Sequence, residues 1–130
     1  MTKYENGEDL PAAVGLELDY PEIRESVATI CAKFPSDYWR DQEDADTYPE
    51  AFVRELTESG FLAALIPEEY GGAGLPLSAA CAVLEEIQRS GCNGGACHAQ
   101  MYTMGTLLRH GSELQKRQYL EGMAPAFDLS

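Results

Sequence analysis

The chain has 130 residues, 45% of them apolar and 9% aromatic, with a formal net charge of -13. That length suits one domain with a proper core. An acidic surface of this strength repels nucleic-acid phosphates and anionic membrane faces, so neither is an expected partner. Thirteen of the 22 acids but only four of the nine bases fall in residues 1–50. The polar, acidic start has no apolar stretch behind a basic one, as a signal peptide would, and no run reaches the length of a membrane span. A cytoplasmic setting is expected.

Residues 1–18 read as a flexible acidic arm, and residues 19–130 as one helical domain. The first helix pattern opens at Asp19-Tyr20-Pro21-Glu22, where Asp19 can cap and Glu22 follows three residues later. Ile23, Val27, Ile30, Cys31 and Phe34 then recur at helical spacing until Pro35. Residues 36–46 read as an acidic connection anchored by Trp39. Thr47-Tyr48-Pro49-Glu50 repeats the capping signature, Phe52, Val53 and Leu56 supply a stripe, and Gly60 closes it as a left-handed residue.

The run Phe61 to Ile66 fits either a strand or a buried helical turn. Ile66 to Leu75, I-P-E-E-Y-G-G-A-G-L, is a shaped turn that no helix can cross. It is no phosphate loop, because no Lys-Ser or Lys-Thr follows and two carboxylates flank it. A third helix covers about Leu77 to Ser90, with Leu77, Ala80, Cys81, Leu84 and Ile87 on one face. A fourth covers about Asn93 to His110, with Met101, Met104, Leu107 and Leu108 on a face. A fifth opens on the Ser112-to-Gln115 capping box, with Leu114, Tyr119 and Leu120 for apolar contacts. Glycines at 60, 91, 111 and 122 each follow a helix. The pattern predicts an all-α, up-and-down-like bundle of about five to six helices, too short to stand singly in water.

Candidate chemistry is sparse. His110 sits where a cation favours a helix C-terminus. His98 lies one turn before Tyr102, so the two share a face. Cys31, Cys81, Cys92 and Cys97 form no C-x-x-C pair and read as reduced thiols, with no metal site expected. Glu85 and Glu86 point about 100° apart, and Arg89 is their expected ion-pair partner. Spacing alone yields a helical domain without a catalytic apparatus.

The order of segments nevertheless resembles the N-terminal helical domain of acyl-CoA dehydrogenases. The resemblance rests on residues 48–61, the turn at 66–75, the segment 84–91 and H-G-S-E-L-Q-K-R-Q-Y-L at 110–120. It implies an enzyme oxidising an acyl-CoA thioester with FAD, in which a base removes the α-proton and hydride passes to the flavin. It further implies that flavin and base belong mainly to a middle β domain and a C-terminal helical domain absent from this chain, so that no catalytic or cofactor-binding residue is carried over. The 130 residues alone should be inactive. What is carried over is a wall of the acyl cavity at Gly94, Gly95, His98 and Tyr102, roomy or partly polar. A homo-oligomer is expected of the complete enzyme. Two alternatives stay open: a flavin oxidase or monooxygenase of the same superfamily, and a non-catalytic helical interaction module.

Overall fold

The computed structural model describes residues 19–120 and 123. The expected acidic arm and Gly122 lie outside the described residues. The described residues form six helices: α1 (Pro21–Cys31), α2 (Ser36–Asp44), α3 (Glu50–Glu58), α4 (Leu77–Arg89), α5 (Gly95–His110) and α6 (Glu113–Gln115), the last running into a π-helical turn at Lys116–Leu120. No strand occurs among the described residues. The all-α expectation holds.

Phe61 to Ile66 resolves as a buried 3₁₀ turn, Phe61–Ala63, and its continuation. Leu62, Ala63, Ala64 and Ile66 are buried there, in a turn touched by α3, α4 and α5. Around it, Val27, Phe52, Leu56, Val83, Ile87, Met104 and Leu120 close the core, each fully buried. Gly60 leads into the turn with φ 84°, the left-handed residue its position predicts.

Three local expectations are corrected. Residues 36–44 form helix α2, not an irregular connection. No side chain of α2 is fully buried, so it carries no apolar stripe to betray its period. It is held instead by aromatic rings. Trp39 Nε1 donates to the Phe34 carbonyl at 3.0 Å, and its ring meets Phe52 edge-on at 4.8 Å. Asp19 and Thr47 do not cap. The capping positions fall on Tyr20 and Pro49, one and two residues later, beyond the reach of those side chains. Asp19 pairs instead with Arg24 at 3.1 Å, and Thr47 Oγ1 donates to Gln42 Oε1 at 2.8 Å. Glu85 and Glu86 reach across to Arg24 of α1, at 2.9 and 3.6 Å, rather than pairing with Arg89.

The Ser112 capping box forms as predicted, with the Gln115 N–H on Ser112 Oγ at 3.2 Å and the Ser112 N–H on Gln115 Oε1 at 2.9 Å. Leu114 and Tyr119 do not enter the core; they are 74% and 49% exposed, and Leu120 alone of that trio is buried.

The turn at 66–75 is tied down twice. Its backbone folds over the preceding segment, Ala73 N–H donating to the Ala63 carbonyl at 3.1 Å, Gly74 N–H to Ile66 at 2.8 Å and Leu75 N–H to Ala64 at 2.7 Å. Buried Tyr70 donates its hydroxyl to the Glu113 carboxylate, 2.9 and 3.0 Å from its oxygens. That hydrogen bond raises the phenol above its ordinary value, with burial adding to it. Arg117 stacks 4.9 Å from the Tyr70 ring centroid and pairs with Glu113 at 3.1 Å. The two most distinctive sequence segments, 66–75 and 110–120, are thus one clasp in space.

Candidate functional site

Helix α5 places His98, Tyr102, Gly105 and Arg109 at i, i+4, i+7 and i+11, hence on one face. Cys97 and Met104 point the other way and are fully buried. Helix α4 brings Leu77, Cys81 and Leu84 opposite. Between the two faces runs a groove of about 420 Å³, lined also by Leu65, Met101, Thr106 and His110. Of the predicted face, Ala80 and Ile87 are buried in the core, Leu84 lines the groove while packing against the core's edge, and Leu77 and Cys81 face the groove. Leu77 is 67% exposed, and the core takes Ala79, Ala80, Ala82, Val83 and Ile87 of α4. Apolar positions cover two adjoining faces of α4, and periodicity cannot say which face has a neighbour.

His98 and Tyr102 meet edge to face, ring centroids 5.3 Å apart at 71°, along one wall. Both are exposed. Gly94 and Gly95 are not among the lining residues. Gly94 is buried where α5 starts, and a Cβ there would come within 3.3 Å of Ile87 Cγ2. Gly95 is exposed and donates its N–H to Asn93 Oδ1 at 2.9 Å. Of the four candidate wall residues, two share the groove and two begin the helix that builds it.

A larger cleft, about 640 Å³, lies between α2 and the α4–α5 connection and is lined by Glu43 and Asp46 with Gln42, Gln88 and Asn93. Its carboxylates repel anions. The α4–α5 groove has no carboxylate in its lining, although the chain is strongly acidic, and its polar groups are the Arg109 guanidinium, two imidazoles, a phenol and the Thr106 hydroxyl. An apolar tail joined to an anionic body suits it.

The glycine turn offers no cradle for a flavin pyrophosphate. The N–H groups of Gly72, Ala73, Gly74 and Leu75 all donate to backbone carbonyls, and Glu68 and Glu69 stand beside them. Among the described residues no three His, Cys, Asp or Glu side chains converge in metal-binding geometry, and no helix is long and apolar enough to cross a membrane.

The thiols divide sharply. Cys31, Cys92 and Cys97 are buried and Cys81 is exposed. Burial pushes Cys31 and Cys97 up to about 12. Iodoacetamide should therefore modify Cys81 quickly and the other three only on unfolding; a second fast thiol by mass spectrometry would contradict this. The raised thiols hold their protons in the fold. Their contribution is complete below the ordinary thiol value of 9.0 and is lost as pH climbs toward about 12.

Comparison with known proteins places this geometry in a family. The model of the acyl-CoA dehydrogenase N-terminal domain matches residues 19–126. A probable acyl-CoA dehydrogenase of Mycobacterium leprae is 35% identical over 108 residues, 82% of this chain and 28% of the relative. The glutaryl-CoA dehydrogenase of Desulfococcus multivorans is 37% identical over 116 residues, 85% of this chain and 29% of the relative. The chain thus spans somewhat over a quarter of these relatives' length. A solved structure described as an electron transferring flavoprotein of Acidaminococcus fermentans superposes with a TM-score of 0.67 at 23% identity, over 82% of this chain and 28% of that one, a likeness of fold alone. The clasped turn, the all-α packing of the described residues and the match over residues 19–126 agree: the chain belongs to the acyl-CoA dehydrogenase family, as its N-terminal domain.

Proposed function

We propose that this domain supplies one wall of the acyl cavity in an FAD-dependent acyl-CoA dehydrogenase. The observation that carries the reading is the α4–α5 groove, apolar along Leu65, Leu77, Leu84 and Met101 and free of carboxylates in its lining. The leucines and Met101 would shed water from an acyl tail on contact. His98 and Tyr102 would give the wall a polar, aromatic stretch, while Arg109 and His110 would face the anionic side of the ligand. Gly94 and Gly95 would act as the start of the helix that carries this wall. FAD would supply the hydride acceptor in the complete enzyme and would be held by its middle and C-terminal domains, which are also the expected partners of the exposed Leu114 and Tyr119. A cytoplasmic homo-oligomer completes the reading.

The test is an exchange of residues 19–126 for the matching segment of the Mycobacterium leprae relative. The folded chimera should bind flavin and reduce a dye with an acyl-CoA. A folded, flavin-loaded chimera that oxidises no acyl-CoA would reject the proposal. Within the active chimera, His98→Leu should shift the tail-length preference by about tenfold in kcat/KM, the worth of a methylene or two in an apolar pocket. An unchanged substrate profile would remove His98 from the wall.

A further inference from the structure

Gly105 occupies the interior of α5, a sixteen-residue helix. Glycine is among the least favourable residues there, because it forfeits the most chain freedom on ordering. Two causes commonly keep a glycine in such a place. One is a backbone angle that other residues avoid, and Gly105 is not among the positive-φ glycines. The other is a crowding neighbour, as at Gly94. A Cβ built on Gly105 would meet nothing within 4 Å. Neither backbone conformation nor packing asks for a glycine.

What a side chain at 105 would enter is the groove. Gly105 lines it together with Tyr102 and Arg109 of the same face, facing the α4 wall of Leu77, Cys81 and Leu84. The missing side chain widens the groove at that level, between the His98–Tyr102 ring pair and the Arg109–His110 end. Charge points the same way as shape: the chain is acidic overall, yet the groove lining carries a guanidinium and no carboxylate, the complement of a coenzyme A thioester with its anionic phosphates. Resting on the acyl-wall reading above, we propose that Gly105 is the position at which this groove selects acyl tails broader than a straight chain, branched or cyclic.

Exposed Cys81, in the same lining, is a built-in reporter. In the flavin-loaded chimera described above, without electron acceptor, iodoacetamide labelling of Cys81 is followed against butyryl-CoA, isovaleryl-CoA and cyclohexanecarbonyl-CoA. The two broad thioesters should protect at lower concentration than the straight one. Gly105→Leu should weaken their protection by about tenfold and that of butyryl-CoA by less than about twofold. Gly105→Ala should raise Tm by about 3 °C, as a helix-interior glycine with no structural duty allows. Protection with the same ranking in wild type and Gly105→Leu, or a lowered Tm in Gly105→Ala, would overturn the role of Gly105 while leaving the acyl groove in place. Failure of all three thioesters to protect wild-type Cys81 would overturn the groove reading itself, and this inference with it.

Discussion

Gly72→Val should lower Tm by more than about 10 °C, the equivalent of about 4 kcal/mol in a domain of this size. A Cβ at Gly72 would lie 2.0 Å from the Ile66 carbonyl oxygen and 2.4 Å from Ile66 Cβ. The first obstacle is backbone, which cannot rotate away as a side chain can. The turn must lift off, and the Gly74 to Ile66 and Ala73 to Ala63 hydrogen bonds go with it. Overpacking and two lost hydrogen bonds, at about 1 kcal/mol each, together reach the stated cost. Gly72→Ala carries the same first carbon and should fail nearly as badly. Gly74→Ala is the control. Its φ is +63° but its Cβ would meet only Glu68 Cγ at 3.8 Å, so the cost is backbone strain of about 1 kcal/mol. Thermal unfolding of the three variants checks the order, and a Gly72→Val protein with wild-type Tm would contradict the packing described for the turn.

Phe52→Ala should cost about 3–5 kcal/mol, the usual range for emptying a buried phenylalanine site. Phe52 is 0% exposed and holds two rings edge-on, Phe34 at 5.2 Å and Trp39 at 4.8 Å. The substitution therefore opens a cavity and also unseats α2, which buries no residue of its own. Trp39 is the chain's single tryptophan. Its fluorescence should report α2 loosening at lower denaturant than the far-ultraviolet signal of the whole bundle. Coincident transitions with an unshifted midpoint would contradict this.

The fold was legible where local chemistry decides it. Gly60 and Gly91 both adopt φ near 84° at helix ends, and the Ser112–Gln115 box forms as its spacing requires. The α2 helix was not legible, since its stability comes from Phe52, a residue of another helix, and not from a stripe of its own. Leu114 and Tyr119 look like core residues in sequence because hydrophobicity does not state where the partner surface lies.

The candidate site was half legible. His98 and Tyr102 came from resemblance and share a wall of the groove. The opposite wall could not be told from core, because Leu77 and Leu84 obey the same period as the residues that are buried. Nothing in the sequence around Gly105 marks it out. Its meaning lies in the space around it, which only the packing of α4 against α5 defines.

The most direct test of the central claim, that this domain shapes an acyl site and performs no electron transfer of its own, uses the purified 130-residue chain mixed with FAD and acyl-CoA. After gel filtration it should be colourless, and it should reduce no dye at any acyl-CoA concentration. A yellow protein peak that reduces dye on addition of acyl-CoA would contradict the account.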